Sequence, residues 1–244
     1  MKISYFCSMV KVLRYIQSLW EGVLELFYPA LCPICDTPLE KGEYVCPSCH
    51  KTLRRTEQAI IRGNSTEQLF MGNKRFERGG AYLFFEKGGD VQKMILNFKF
   101  ARRPEIGYEL AKEAAQAFME AGFFEGIDVI IPVPLHPRRL RERGYNQAEV
   151  IAKGVHEVTH IAVDTTHLMR IKNNQHQAAL RGMKREKNVE DIFAVVHPED
   201  MYRKHILLVD DVITTGNTLR SCMKAMGKFR GCRISVFALG KAIG

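Results

Sequence analysis

The stretch HILLVDDVITTGNTLR, residues 205–220, runs from aliphatic residues into two aspartates and then into a polar turn. The four aliphatic residues 206–209 directly precede Asp210 and Asp211. An unbroken aliphatic run bounded by turn residues predicts a strand covered on both faces, as in a parallel sheet. Two adjacent carboxylates repel each other, so they favour hydroxyl donors or a cation close by. The stretch therefore predicts a buried strand that leads into a ligand site.

The turn after the aspartates has the features of a phosphate cradle. Thr214, Thr215 and Thr218 offer hydroxyl groups, Gly216 allows close approach of the backbone, and Asn217 begins a predicted helix with free N–H groups. Carboxylates suit the 2′,3′-diol of a ribose, so the whole stretch predicts a site for ribose 5-phosphate. The alternative is an exposed strand end followed by an ordinary helix start. The unbroken order of strand, aspartates and turn disfavours that alternative.

Strands and helices alternate along the rest of the chain from about residue 80. Apolar periodicity predicts strands at 79–86, 127–133 and 233–239, and helices at 90–100, 105–121, 147–159 and 217–228. Two further segments, THLMRI and DIFAVV, are strand-like. This alternation predicts an α/β fold, a parallel sheet with helices on both faces. Ligands of such sheets bind at the carboxyl ends of the strands, where the stretches PVPLHPRRLRERGYNQ, NNQHQAALRGMKREKN and DDVITTGNT fall.

The segment CPICDTPLEKGEYVCPSC contains two CxxC pairs, Cys32 with Cys35 and Cys46 with Cys49. Two such turns joined by a hairpin would close a tetrahedral shell of four thiolates, which Zn²⁺ prefers and which leaves no position for a substrate. The alternatives are an iron–sulfur or a redox site, but a proline follows Cys32 and Cys46 and no βαβ pattern surrounds them. We predict a structural zinc ribbon over residues 29–56, with EYVC as a strand.

Composition and charge set the remaining expectations. The 244 residues carry a formal net charge of +9, which favours an anionic partner such as nucleic acid or a phosphorylated metabolite. Residues 1–28 have the periodicity of an amphipathic helix, broken by charges too often for a membrane span or a signal peptide. Seven cysteines without a signal peptide indicate a reducing, cytoplasmic location. Residues 57–79 are predicted as a linker, and 80–244 as the main domain.

Four stretches together resemble the ComF branch of the type I phosphoribosyltransferases. The sequence ILLVDDVITTGNT is similar to the signature that binds phosphoribosyl pyrophosphate (PRPP), and PVPLHPRRLRERGYNQA is similar to the R-x-R-G-[FY]-N-Q stretch of ComF proteins. An N-terminal CxxC…CxxC ribbon belongs to the same branch. A further similar region begins at Arg170 and continues through Gln177, Leu180, Arg185, Asn188 and Phe193. Asn174 departs from the pattern, because that branch usually has threonine there.

The resemblance implies a type I phosphoribosyltransferase fold and assigns roles to named residues. Asp210 and Asp211 would be the catalytic pair that orients the ribose, and residues 214–218 would hold its 5′-phosphate. Mg²⁺ would accompany the pyrophosphate, which would be held by the loop after the second strand and by the segment beyond it. The residues expected to contact pyrophosphate or another polyanion are Val133, Pro134, Leu135, Arg138, Arg141, Arg143, Tyr145, Asn146 and Gln147. Tyr145 could instead fill the start of the next helix.

Two functions from different classes remain open at this stage. One is an enzyme that transfers phosphoribosyl to an unidentified acceptor. The other is a protein of DNA uptake that keeps the PRPP site and binds single-stranded DNA, with competence-machinery proteins as partners. The zinc ribbon, the positive charge and the arginines favour the second function. Any hood over an acceptor is expected from residues 50–100 and the ribbon, because only GKAIG follows the last predicted strand.

Overall fold

The computed structural model describes residues 30–171 and 192–243. The chain forms two compact units, Met1–Thr52 and Leu53–Gly244. The amphipathic helix predicted over residues 1–28 lies outside the described residues. So do Asn174, Gln177, Leu180, Arg185 and Asn188, with most of the polar stretch between the strand-like segments.

The first unit is organised around its cysteines. The N–H of Cys32 donates to Thr37 O at 2.8 Å and closes the first CxxC turn. Gly42 lies in a turn with φ of 90°, and helix α1 (Pro47–Thr52) follows the third cysteine. The predicted strand EYVC is wrong, because residues 43–46 have no strand pairing and form a bend at 44 and 45. Their backbone leads straight into α1, whose first turn includes the bond from His50 N to Cys46 O at 2.9 Å.

The second unit is built on a parallel sheet of four strands in the order β1-β6-β5-β2. Burial is continuous over the first five residues of β5, which explains the unbroken aliphatic run in the sequence. A separate antiparallel pair, β3 and β4, supplies two short strands. The strands are β1 (Phe76–Phe85), β2 (Val129–Pro132), β3 (Leu168–Arg170), β4 (Phe193–Val195), β5 (His205–Ile213) and β6 (Arg233–Ala242).

Helices cover both faces of the sheet, which confirms the predicted fold class. Successive strand residues point to opposite faces. Phe237 of β6 meets Phe118 of α3 with ring centroids 5.0 Å apart, whereas its neighbour Val236 belongs to a buried cluster with Leu219 and Cys222 of α6. The helices are α2 (Asp90–Phe100), α3 (Pro104–Glu120), α4 (Pro137–Arg143), α5 (Gln147–Thr159) and α6 (Asn217–Ala225).

Several predicted boundaries differ from the structure. Strand β1 begins at Phe76, inside the segment predicted as a linker, and β6 runs on to Ala242. Asp90 has a side chain typical of an N-cap, but the N-cap of α2 is Gly89 and Asp90 is the first helical residue. Residues 53–79 belong to the second unit, and Arg55 bridges Leu83 in an antiparallel pair that covers the outer edge of β1. None of the described helices is long and apolar enough to cross a membrane.

Candidate functional site

The two aspartates lie inside β5, near its carboxyl end. Both are half-buried, because the strand continues beyond them to Ile213. Asp211 Oδ2 pairs with Lys99 Nζ at 2.8 Å, and the N–H of Asp211 donates to Asp210 Oδ1 at 2.9 Å. Lys99 lies in the last turn of α2. The structure places it in the site.

The electrostatic environment of Asp210 disfavours its charged form. Burial, reinforced by the charge of Asp211, raises the pKa of Asp210 to about 7. The N–H of Asp211 and the cations of Lys99 and Arg170 oppose this rise. A carboxyl group with such a pKa changes its protonation state near neutral pH, which is typical of functional sites.

The turn after β5 forms a small cavity of about 50 Å³, here called the loop cavity, lined by Asp210 and residues 212–219. Gly216 precedes α6 with φ of +75°, a conformation that strains residues with a Cβ atom. A Cβ there would also lie 3.1 Å from the Phe70 ring. The first turn of α6 supplies the backbone N–H groups that suit an anion. The turn therefore presents backbone N–H groups at the loop cavity, and a phosphate cradle stays a prediction.

Arg220 ties this turn to the segment that precedes β1. Its guanidinium donates to Thr215 O at 2.6 Å and to Asn217 Oδ1 at 3.0 Å. It also donates to Leu69 O at 2.9 Å and lies 5.7 Å from the centre of the Phe70 ring. The sequence predicts a linker over 57–79 and does not indicate the contact of Arg220 with Leu69 and Phe70. A loop sequence carries no local sign of the distant turn that the loop will cover.

A second cavity, the basic cavity, has a volume of about 160 Å³ and adjoins the aspartates. Within the part of the chain that the structure describes, its charged lining consists of four cations and two carboxylates. Burial and the neighbouring Arg139 lower the pKa of Arg170, as expected where cations crowd together. The charged lining residues are Lys99, Arg139, Arg143, Arg170, Asp210 and Asp211, and the others are Val133, Leu135, Asn146, Gln147, Ala148, Val212 and Thr218.

Two predicted residues, Asn146 and Gln147, join the loop after β2 to α5. Asn146 caps α5 by accepting from Ala148 N at 3.1 Å, and its amide donates to Val133 O at 3.1 Å. Gln147 Oε1 accepts from Arg143 Nη1 at 2.7 Å. Gln147 Nε2 is buried and has no hydrogen-bond partner among the described residues. An unsatisfied buried donor in a cavity wall suits an acceptor on a ligand.

Four predicted contact residues do not line the basic cavity: Pro134, Arg138, Arg141 and Tyr145. Arg138 pairs with Glu142 at 3.1 Å on the exposed side of α4, and Arg141 is exposed. The Tyr145 hydroxyl donates to the Phe98 carbonyl, and the two rings lie 5.8 Å apart, so Tyr145 fills the space beside α2. Arg139 lines the basic cavity where Arg138 was expected. The prediction chose the wrong arginine because the faces of a short helix are hard to assign from sequence.

The four cysteines of the first unit converge on one point. Their Sγ atoms all lie within 4.8 Å of one another, and those of Cys35 and Cys46 are 3.6 Å apart. A tetrahedral zinc with Zn–S bonds of about 2.3 Å implies S–S distances of about 3.8 Å. Hydrogen bonding with Thr37 lowers the pKa of Cys35 to about 6, which favours its thiolate, whereas burial raises the pKa of Cys49. The donor set fits a structural zinc.

Comparison with protein families decides the classification. A model of the phosphoribosyl transferase domain matches residues 101–241, and a model of the double zinc ribbon domain matches residues 23–60. The chain belongs to the phosphoribosyl transferase domain family. The matched range contains every charged residue of the basic cavity except Lys99, together with the whole loop cavity. The double zinc ribbon match supports a structural zinc at the four cysteines.

Curated relatives confirm the resemblance to the ComF branch. Competence protein F of Haemophilus influenzae is 29% identical over 86% of this chain and 84% of its own length. DNA utilization protein YhgH of Escherichia coli K12 is 24% identical over 89% of this chain and 100% of its own length. Competence protein ComFC of Bacillus subtilis is 25% identical over 86% of this chain and 77% of its own length. The phosphoribosyl transferase domain is thus joined to a zinc ribbon in a ComF-type chain.

Proposed function

We propose that the phosphoribosyl transferase domain binds PRPP, with its ribose at Asp210 and Asp211 and its two phosphate-bearing ends in the two cavities. One observation carries this proposal: the loop cavity and the basic cavity share Asp210, Val212 and Thr218 in their linings. PRPP has a ribose diol between a monophosphate and a pyrophosphate. The site has the same order, with carboxylates between the N–H groups of the loop cavity and the cations of the basic cavity. The 5′-phosphate would occupy the loop cavity, and the pyrophosphate the basic cavity.

The charge of the basic cavity supports an anionic occupant. Its four cations exceed its two carboxylates by two charges, and the crowding of Arg170 with Arg139 would be relieved by an anion. Arginine guanidinium groups suit phosphate oxygens because they present paired donors in a plane. Gln147 Nε2, buried and without a partner among the described residues, would donate to a pyrophosphate oxygen.

The residues also fit Mg²⁺ as a companion of the pyrophosphate. Mg²⁺ takes oxygen ligands and is commonly bound by one or two carboxylates together with substrate phosphates. Asp210 and Asp211 are the carboxylates in the cavity wall that could serve. When bound, Mg²⁺ would neutralise charge on the pyrophosphate leaving group. The protein's own contribution would be to position the ribose and exclude alternative orientations of the two phosphate ends.

The test is titration calorimetry of the full chain with PRPP in the presence of Mg²⁺. Asp210→Asn/Asp211→Asn keeps size and polarity but removes the charges that accept strong hydrogen bonds from the diol. Each lost bond costs about 1.5–3 kcal/mol, so affinity should fall at least about tenfold. The control Glu120→Gln/Glu157→Gln removes two exposed carboxylates outside both cavities and should bind like the wild type. Unchanged affinity in the aspartate variant would refute the proposal.

We further propose that the chain acts in DNA uptake and binds single-stranded DNA through α4. The relatives named competence protein F and DNA utilization protein suggest this role. Arg138 and Arg141 are exposed on α4 and lie outside the basic cavity, so they are accessible to phosphates of a strand. Transfer of phosphoribosyl to an acceptor remains the alternative function, and release of pyrophosphate from PRPP on addition of DNA or a base would favour it.

A further inference from the structure

A third cavity lies apart from the two at the carboxyl end of the sheet. It has a volume of about 660 Å³ and lies between the loop 69–75 and α6. This size falls within the range of about 300–1,000 Å³ that is usual for small-molecule sites. None of its lining residues lines the loop cavity or the basic cavity. We call it the lateral cavity.

The lining of the lateral cavity carries charges of one sign. Lys74, Arg75, Arg220 and Lys224 contribute four cations, and none of the lining residues among 30–171 and 192–243 is acidic. Lys74 and Lys224 are exposed, so their charged groups can reach a ligand, whereas the Arg220 guanidinium is held by Leu69, Thr215 and Asn217. A concave surface with cations alone concentrates anions, because the low-dielectric walls focus the field. If these cations formed only a solvated face of α6, the loop 69–75 would not be expected to cover the opposite side of the cavity.

The walls of the lateral cavity are held in place by hydrogen bonds. Asn73 Oδ1 accepts from Arg75 N at 3.0 Å, and Asn73 Nδ2 donates to Met223 Sδ at 3.5 Å. The first contact shapes the loop, and the second joins the loop to α6. Arg220 of α6 donates to Leu69 O at 2.9 Å, which forms a second link between the loop and α6. A preformed cavity needs less ordering when a ligand binds.

We propose that the lateral cavity is a second anion site that takes a chain of phosphate groups. Its cations are spread over two elements, so they suit several linked phosphates better than one. The proposal does not depend on PRPP binding, since the cavity shares no residue with that site. The phosphate chain comes either from a nucleoside triphosphate or from a DNA strand, and competition experiments distinguish these sources.

The experiment is titration calorimetry of the full chain with inorganic tripolyphosphate at low salt. The wild type should bind tripolyphosphate in the lateral cavity and, where the proposed pyrophosphate site is also correct, in the basic cavity. Lys74→Gln/Arg75→Gln/Lys224→Gln should lose the site in the lateral cavity, with affinity reduced at least tenfold and PRPP binding unchanged. The matched variant Arg139→Gln/Arg143→Gln should lose the other site. If the first variant keeps the stoichiometry and affinity of the wild type, the proposal is overturned, whatever happens to PRPP.

Two further experiments distinguish specific binding in the lateral cavity from general electrostatic attraction. Lys74→Glu/Lys224→Glu changes two exposed side chains and should abolish lateral binding while its melting curve stays cooperative. Displacement of tripolyphosphate by a nucleoside triphosphate, or by a 5′-phosphorylated oligonucleotide, would support the site and identify its source. Equal displacement by sulfate at matched ionic strength would mean unspecific attraction and would contradict the proposal.

Discussion

At the scale of single residues, Asp210 belongs to the proposed ligand site but lowers the stability of the fold when it is ionised. A carboxyl group whose pKa is raised to about 7 is costly to ionise within the fold. Its unfolded counterpart has a pKa of about 3.9. Between these two values the folded chain holds a proton that the unfolded chain has released. The free energy of unfolding therefore falls as pH rises from about 4 to 7 through this residue.

The variant Asp210→Asn should remove that pH dependence. Without a carboxyl group to ionise, its melting temperature relative to the wild type should rise between pH 5 and pH 8. The gain corresponds to a free energy on the order of 1–4 kcal/mol. Thermal melts at both pH values, without metal or ligand, would measure it. The control Glu120→Gln removes an exposed carboxylate and should show no such trend. Equal shifts at both pH values would contradict the assignment.

At the scale of elements, the zinc ribbon depends on its metal. Its described core has three buried residues, Cys32, Val45 and Cys46, which is too little apolar surface to support a fold alone. The free energy of metal binding would therefore serve as folding free energy.

Metal analysis of the purified protein should find about one zinc per chain, since four thiolates complete the tetrahedral shell. Cys46→Ser/Cys49→Ser should lose the metal, because two oxygen ligands replace two thiolates. The matched control Cys232→Ala removes a buried cysteine of the second unit and should keep the zinc. Full zinc content in the double serine variant would show that these cysteines do not hold it.

Helix α4 divides its arginines between two surfaces, and this division can be measured. Arg138→Gln/Arg141→Gln should weaken binding of single-stranded DNA and leave PRPP affinity unchanged, because neither residue lines the basic cavity. Arg139→Gln/Arg143→Gln should lower PRPP affinity. Each lost phosphate contact should reduce the salt dependence of DNA binding by about 0.7 in log–log slope.

Fluorescence anisotropy with a labelled oligonucleotide at several salt concentrations would measure both α4 variants. Lys153→Gln/Lys228→Gln, which also removes two exposed cations but lies outside α4 and both cavities, provides a control for net charge. If the exposed pair can be replaced without any change in affinity or salt dependence, α4 does not bind the strand.

At the scale of the whole molecule, the sheet brings distant stretches of sequence to one edge. Strand β5 pairs with β2 on one side and with β6 on the other. The loop after β2 therefore lies beside Asp210, although about 75 residues separate them in the sequence. Isolated bridges of Ile130 with Val163 and of Arg55 with Leu83 cover part of the outer edges of β2 and β1. The covered positions are not available for pairing with another chain.

The sequence by itself determined the strand-to-turn stretch of β5, the helix bounds of α2 and α5, and the four cysteines. These features are local, because periodicity, caps and ligand spacing act within a few residues. The tertiary structure alone decided that Lys99 pairs with Asp211, that Arg139 rather than Arg138 faces the basic cavity, and that the presumed linker meets the turn at Gly216. Such contacts depend on packing between elements far apart in the chain, which no local pattern encodes.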